Sequence, residues 1–455
     1  MTAARGDGPR TMPGWVRGFL VARATSAVGT QVTFLALPAA AAAAAPGDAQ
    51  FVAVLEGMTV VGFVVASLPA GVLADRRDPW PTLVLCAVVN AVGMFAVGFA
   101  LVRLVAQWST GTAVLAAALV AMVSCVQTQS EASTQRLVVS AVAPAQRAVL
   151  NSWVHGTSSA AQLVGPAVVG ALVATVGAAY GLILDAVTFA AAAVLVAVAW
   201  RRHLSASAEP RPASAPGPDA APPAADELRG RWRAAVDEAL AGFRALGGLP
   251  VLRAATVVLA LANLFAGVYG ATYVYYVLEV RQLGGTGLAA IGAAGAVGGL
   301  TGAVLAGRLL ARVLPLRVLM LAPVGYAALF LLVGAPDGSL VLPAAGVVVY
   351  SLASALVMVS YVTLRQDSSP PQLAGRIAAA TRAVTNGAYP ASAALAVIAL
   401  GVIDASTVMT IAVAGEAVTA VLLPLWWWRT RTHGRGAGQD ERLLGAEGVP
   451  AERDG

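Results

Sequence analysis

The stretch SLPAGVLADRRDPW, Ser67 to Trp80, carries a long apolar run into four consecutive charges, Asp75, Arg76, Arg77 and Asp78. A second version of it stands far along the chain. AGVLADRR at 70–77 aligns with GAVLAGRL at 302–309, so that Val72-Leu73-Ala74 meets Val304-Leu305-Ala306, Arg76 meets Arg308 and Asp75 meets Gly307. At nearly the same spacing Arg136 pairs with Arg365 and Pro144 with Pro371. The chain therefore reads as an internal duplication, and the question is what solvent its two copies face.

Composition answers that. Of 455 residues 58% are hydrophobic and 11% charged, less than half the roughly 25% charge of a soluble domain. So much apolar surface needs lipid around it. Apolar blocks long enough to span a bilayer, about 20 residues each, run at 16–40, 50–74, 79–102, 110–131, 151–176 and 179–200. A second set runs at 251–278, 286–306, 314–334, 339–362, 376–400 and 404–428. The expected fold is an all-α membrane protein of twelve transmembrane helices in two six-helix pseudo-repeat bundles, 16–200 and 251–428. The first block is longer than the apolar core of about 7–15 residues in a cleaved signal peptide.

Arginine placement orients the spans. With the N-terminus inside, the cytoplasmic segments hold Arg17, Arg76, Arg77, Arg136, Arg147, Arg308, Arg312, Arg317, Arg365, Arg376 and the arginines of 201–253, whereas the opposite loops hold only Arg103 and Arg281. This is the positive-inside pattern. It predicts an inner (cytoplasmic) membrane protein with a cytoplasmic tail at 1–15, a cytoplasmic linker at 201–250 and a cytoplasmic tail at 429–455. Within the linker, Ser205 to Glu227 is mostly Pro, Ala and Ser and reads as a tether without a core. Leu228, Trp232, Val236, Leu240 and Phe243 then recur at helical spacing, which predicts an amphipathic helix at about 226–247 on the inner membrane surface.

Several chemistries are excluded or disfavoured. All 29 basic residues are arginine, so a Walker A lysine and a Schiff-base lysine are both ruled out. Cys86 and Cys125 lie in separate apolar blocks and read as small core residues, and the three histidines are too scattered for a metal site. Glycine-rich GGTGLAAIGAAGAVGGLTG, 284–302, fills a spanning block with no strand before it, so close helix packing outranks phosphate binding. No enzyme, metal or cofactor is expected, nor nucleic acid. The expected partners are the bilayer and a small-molecule substrate, the protein acting as a monomer.

Beyond the duplication, GVLADRR resembles the loop 2–3 signature of the major facilitator superfamily. The stretches 165–189, GPAVVGALVATVGAAYGLILDAVTF, and 375–390, GRIAAATRAVTNGAYP, resemble the drug and siderophore exporter branch of that family. The likeness runs from about 15 to 428. It implies a secondary transporter working by alternating access, most simply a proton-coupled exporter of a drug-like, siderophore-like or other amphiphilic molecule. A nutrient importer and a membrane sensor or scaffold that has kept the fold are the rivals. It also implies a gate in which Asp75 caps the helix entering near Gly375, with Gly71, Arg76, Gly165, Pro166, Gly170 and Arg308 as gating residues. Gly71 would let two helices approach closely. Two departures stand out: DPWP follows Arg77 in place of a basic run, and the second copy has Gly307 where the first has Asp75.

Ionisable residues inside spans are costly, and each is a site hypothesis. Asp185, Glu56 and Glu416, in that order, are the candidates for a carboxyl that takes and releases the coupling proton. Arg23 and Arg382, about two turns in from the cytoplasmic ends of the first and eleventh spans, are site hypotheses of the same kind, with snorkelling as the alternative, and Glu131 reads as structural near the inner interface. The resemblance implies a cavity lined by the first, fourth, seventh and tenth spans, with Gln31, Gln127, Asn263, Tyr269, Tyr273, Ser354 and Met358 as lining candidates and the proton gradient as the energy source.

Overall fold

A computed structural model describes residues 14–103, 110–142, 175–206, 240–370 and 373–432, with helical positions at 146, 150, 153–154, 157, 161, 165, 168–169 and 171–173. The helices are α1 Trp15–Ala44, α2 Ala49–Arg76, α3 Pro79–Arg103, α4 Thr110–Ala141, α5 Ala179–Ala206, α6 Pro250–Tyr275 and α7 Gly284–Leu310. They continue as α8 Pro315–Leu319, α9 Ala322–Ala327, α10 Phe330–Val333, α11 Val341–Ser368, α12 Ala374–Leu400 and α13 Ala405–Thr432. Among the described residues these supply 11 spans long and apolar enough to cross a membrane, with α8 to α10 counting as one. Each falls on an expected block; the remaining block, 151–176, lies largely outside the described residues. The linker 207–239 and both tails lie outside them too.

The ninth expected span, 314–334, reads as a plain helix in the sequence, and the structure breaks it. Pro315 and Pro323 stand in the first turns of α8 and α9, and neither has an N–H to give. Between the pieces the backbone tightens to three-residue bonds, Leu321 N to Val318 O at 3.0 Å and Leu329 N to Tyr326 O at 3.1 Å. Such breaks are tolerated at membrane depth where protein covers them, and Leu316, Leu319, Tyr326, Leu329 and Leu332 are all buried. α6 also ends irregularly, in one π turn over Tyr276–Val280.

The chain divides into two compact units, residues 1–46 with 58–214, and 47–57 with 215–455. The N-terminal part of α2 thus groups with the second unit rather than with 16–200. The cause is packing: Ala53 sits in a cluster with Val268, Ala271, Ala396, Val408 and Ala412, and Gln50 Nε2 donates to the Val397 carbonyl at 3.3 Å.

In the first unit α5 packs along both α1 and α3, and α3 also along α4. Trp15, Phe19, Trp80, Leu137 and Val196 belong to one apolar cluster. Within it Trp15 meets Trp80 edge-on at 5.2 Å, and Trp80 stacks on His203 at 5.4 Å. Ser124 of α4 donates to the Thr59 carbonyl of α2, the kind of interhelical bond that replaces hydrophobic drive inside lipid. Cys86 and Cys125 are free thiols.

In the second unit α7 lies against α11, while α6 packs on α12 and α13. The glycine-rich stretch is the contact surface: Gly298 faces the main chain of Val348, and Gly302 that of Leu352. That is close packing, as the sequence pattern predicts. Of the expected amphipathic helix only 240–247 is described. There Gly242 seats against the Arg376 carbonyl and Leu246 is buried, whereas Leu240 and Phe243 are exposed. This end of it therefore docks on α12 through one face.

α13 begins with a side-chain cap. Asp404 Oδ1 accepts the Thr407 N–H at 2.9 Å and Oδ2 accepts the Thr407 hydroxyl at 2.7 Å. Those bonds, the hydroxyl's first, hold the Asp404 carboxyl below its ordinary range. The cap is consequently complete above that range and is lost as pH falls through it. Asp404→Ala should speed hydrogen exchange at the Thr407 amide several-fold at neutral pH while leaving mid-helix amides unchanged. Equal exchange in both proteins would dismiss the cap.

Candidate functional site

Asp185 sits on α5 with no exposed surface. Its two oxygens are held by neutral hydroxyls: Thr33 Oγ1 of α1 donates to Oδ2 at 2.6 Å, and Thr188 Oγ1 donates to Oδ1 at 3.0 Å. Gly29 opposite makes the room, for a Cβ there would overlap the Thr188 hydroxyl and the Asp185 carboxyl. No cation stands at this carboxyl among the described residues. A buried carboxylate without a cation is expensive, so uptake and loss of a proton is the chemistry open to it.

A cavity of about 390 Å³ lies in the same unit. α1 contributes Arg23, Ser26, Thr30 and Gln31; α2 contributes Thr59 and Phe63; α3 contributes Asn90. α4 supplies Ser124, Gln127, Thr128, Ser130 and Glu131, and α5 supplies Phe189, one turn beyond Asp185. Across it Arg23 Nη2 pairs with Glu131 Oε1 at 2.7 Å. The wall is thus polar side chains with two aromatic rings, and it carries one charge of each sign.

Two of the expected lining residues, Gln31 and Gln127, meet here. Gly165 packs against the Cβ and main chain of Gln31, a close approach that supports that wall. Arg23 and Glu131 form a cavity-facing pair, which takes up the site reading of Arg23 over the snorkelling one and corrects Glu131 as a separate structural acid. An arginine in mid-span was the only sequence signal, because its partner lies 108 positions away.

The second unit gathers a different group. Glu416 on α13 is buried and accepts the Tyr350 hydroxyl at 2.8 Å, while its Oε2 has no partner. The Tyr350 ring lies 5.8 Å from Tyr269 and 5.4 Å from Tyr326, and Tyr269 lies 5.5 Å from Tyr273. Tyr269 therefore belongs to the ring group around this carboxyl, with Tyr273 packed on it. Asn263 Nδ2 donates to the Thr385 carbonyl at 3.0 Å, a brace between α6 and α12. Ser354 is half-buried on α11 and Met358 is exposed on it. Glu56 is half-buried on the N-terminal half of α2.

Of the gating residues, Arg76 and Arg308 are exposed. A Cβ at Gly71 would meet nothing within 4 Å among the described residues. The side chain of Asp75, and Pro166 and Gly170 altogether, lie outside the described residues.

Comparison with known proteins agrees with this architecture. The family model of the Major Facilitator Superfamily matches residues 19–394. Among solved structures, a bacterial homologue of the iron transporter ferroportin in an inward-facing state aligns with TM-score 0.67 at 16% identity, over 92% of this chain and 99% of that one. A POT family transporter in complex with 5-aminolevulinic acid aligns with TM-score 0.65 at 12% identity, over 92% and 97%. A nucleoside transporter aligns with TM-score 0.59 at 14% identity, over 90% and 99%. At such identities the likeness is one of fold. No curated protein matches by sequence.

Proposed function

This chain belongs to the Major Facilitator Superfamily, and from that premise we propose that it is a proton-coupled exporter of amphiphilic small molecules. It is a multi-pass membrane protein whose family and fold neighbours are transporters; the coupling, the direction and the substrate class are the proposal. The observation that carries it is Asp185, a fully buried carboxyl held, among the described residues, by the hydroxyls of Thr33 and Thr188 and by no cation. A group so placed can bind a proton from one side and release it to the other as access alternates.

The cavity beside it supplies the place for a substrate. Its amide and hydroxyl groups fix orientation, and Phe63 and Phe189 offer apolar surface. The outward direction is supported by the exporter-like stretches 165–189 and 375–390. Arginine asymmetry supports an inner-membrane location with both termini cytoplasmic.

The test is dye and antibiotic accumulation in a host stripped of its own pumps. Expression should lower accumulation of at least one amphiphile several-fold, and an uncoupler should restore it. Accumulation that rises on expression would point to import, and no change across the panel would sink transport as the function.

A further inference from the structure

We propose that the first-unit cavity selects substrates bearing a carboxylate, which replaces Glu131 on Arg23. Its biological meaning rests on the transporter reading, but its test does not. The argument begins with an asymmetry in the ion pair. The Arg23 side chain is 16% exposed and the Glu131 side chain 56%. Water can therefore take over the charge of Glu131 when it lets go, whereas Arg23 cannot be left without an anion. A cationic ligand would have to pair with Glu131 and strand the arginine. An anion does the reverse, and the exchange leaves no enclosed charge unbalanced.

Hydrogen-bond geometry favours the same ligand. A guanidinium presents Nε–H and Nη–H side by side, a fork that fits both oxygens of one carboxylate. Glu131 engages one side of that fork through Nη2, and Arg23 Nε is enclosed with no acceptor. A free ligand carboxylate, not tethered to α4, can take both positions. On the cavity wall Asn90 has no exposed surface, and neither its amide oxygen nor its nitrogen has a partner. Buried amides without bonds are rare, and this one offers a donor and an acceptor to a neutral polar group on the same molecule. Phe63 and Phe189 cover the rest. The ligand class is an acid with a neutral amide or hydroxyl and an apolar body.

Two dyes that differ in one group test this. A coumarin dye with a free carboxyl and no cationic group, and the methyl ester of the same dye, are titrated against the purified full chain in detergent, without a gradient, by fluorescence anisotropy. The free acid should bind about tenfold more tightly, the scale of one charge-assisted bidentate contact. Arg23→Gln should bring the ratio to about one, and Glu131→Gln should tighten the acid by removing its competitor. Should Arg23→Gln fold poorly, Arg23→Lys keeps the charge and loses the fork, so its ratio should fall several-fold. A wild-type ratio near one overturns the proposal. So does a ratio unchanged in the arginine variants while their thermal stability drops, which would make the pair a helix tie only. Failure of proton coupling would leave these binding ratios untouched, so the two readings fail separately.

Discussion

Asp185→Asn should give a folded protein that exports nothing against a gradient. The amide is nearly isosteric with the carboxyl, its oxygen can still accept the Thr33 hydroxyl, and its NH2 can donate to the Thr188 hydroxyl oxygen, whose hydrogen then turns from the side chain to the Asp185 main-chain carbonyl at 2.8 Å. Nothing in the packing around Gly29 changes. What is lost is the one exchangeable proton. Dye accumulation in the pump-stripped host should rise to that of cells lacking the protein, while yield and thermal midpoint stay near wild type. A variant that still exports in an uncoupler-sensitive way would move the coupling site elsewhere, with Glu56 and Glu416 next in line.

The second large effect is on folding. Gly298 and Gly302 are spaced by one helical turn on α7 and face the main chain of α11, so a side chain at either meets backbone rather than a movable rotamer. Gly298→Val or Gly302→Val should therefore pry α7 from α11, at about 1–3 kcal/mol each. That would lower the thermal midpoint by several degrees and cut the folded yield. Gly299 in the same helix has nothing within 4 Å of a Cβ, and Gly299→Ala should be neutral or stabilising by up to about 1 kcal/mol. If all three variants behaved alike, close packing would not be what these glycines provide.

The contrast between these sites shows what a sequence of this kind discloses. Span length is a local property: an apolar block either reaches across lipid or does not, so blocks such as 79–102 and 404–428 reappear as α3 and α13 almost residue for residue. Glycine spacing on a helix face is local as well, which is why 284–302 read correctly as packing surface. The break in the ninth span was within reach, since Pro315 and Pro323 stand in plain view. The apolar count of 314–334 overrode them.

Partnerships across helices were not legible. Thr33 reaches Asp185 from 152 positions away, and Arg23 reaches Glu131 from 108. One unlike pair of helix faces had to meet for each, and periodicity does not say which. Asn263 is a third case: its place in the seventh span suggests a cavity, and its bond to the Thr385 carbonyl, 122 positions away, came only with the fold. Asp185 itself was found because a carboxyl in mid-span is costly wherever it points; its surroundings came only with the fold.

One measurement bears most directly on the claim that Asp185 couples a proton to substrate movement. The protein is reconstituted into vesicles that enclose a pH-sensitive dye, and an amphiphile that the wild type exports is added to one side. Wild type should move protons opposite to the substrate, and Asp185→Asn should move none. Substrate crossing in wild type without proton movement, or undiminished proton movement in Asp185→Asn, would contradict the account.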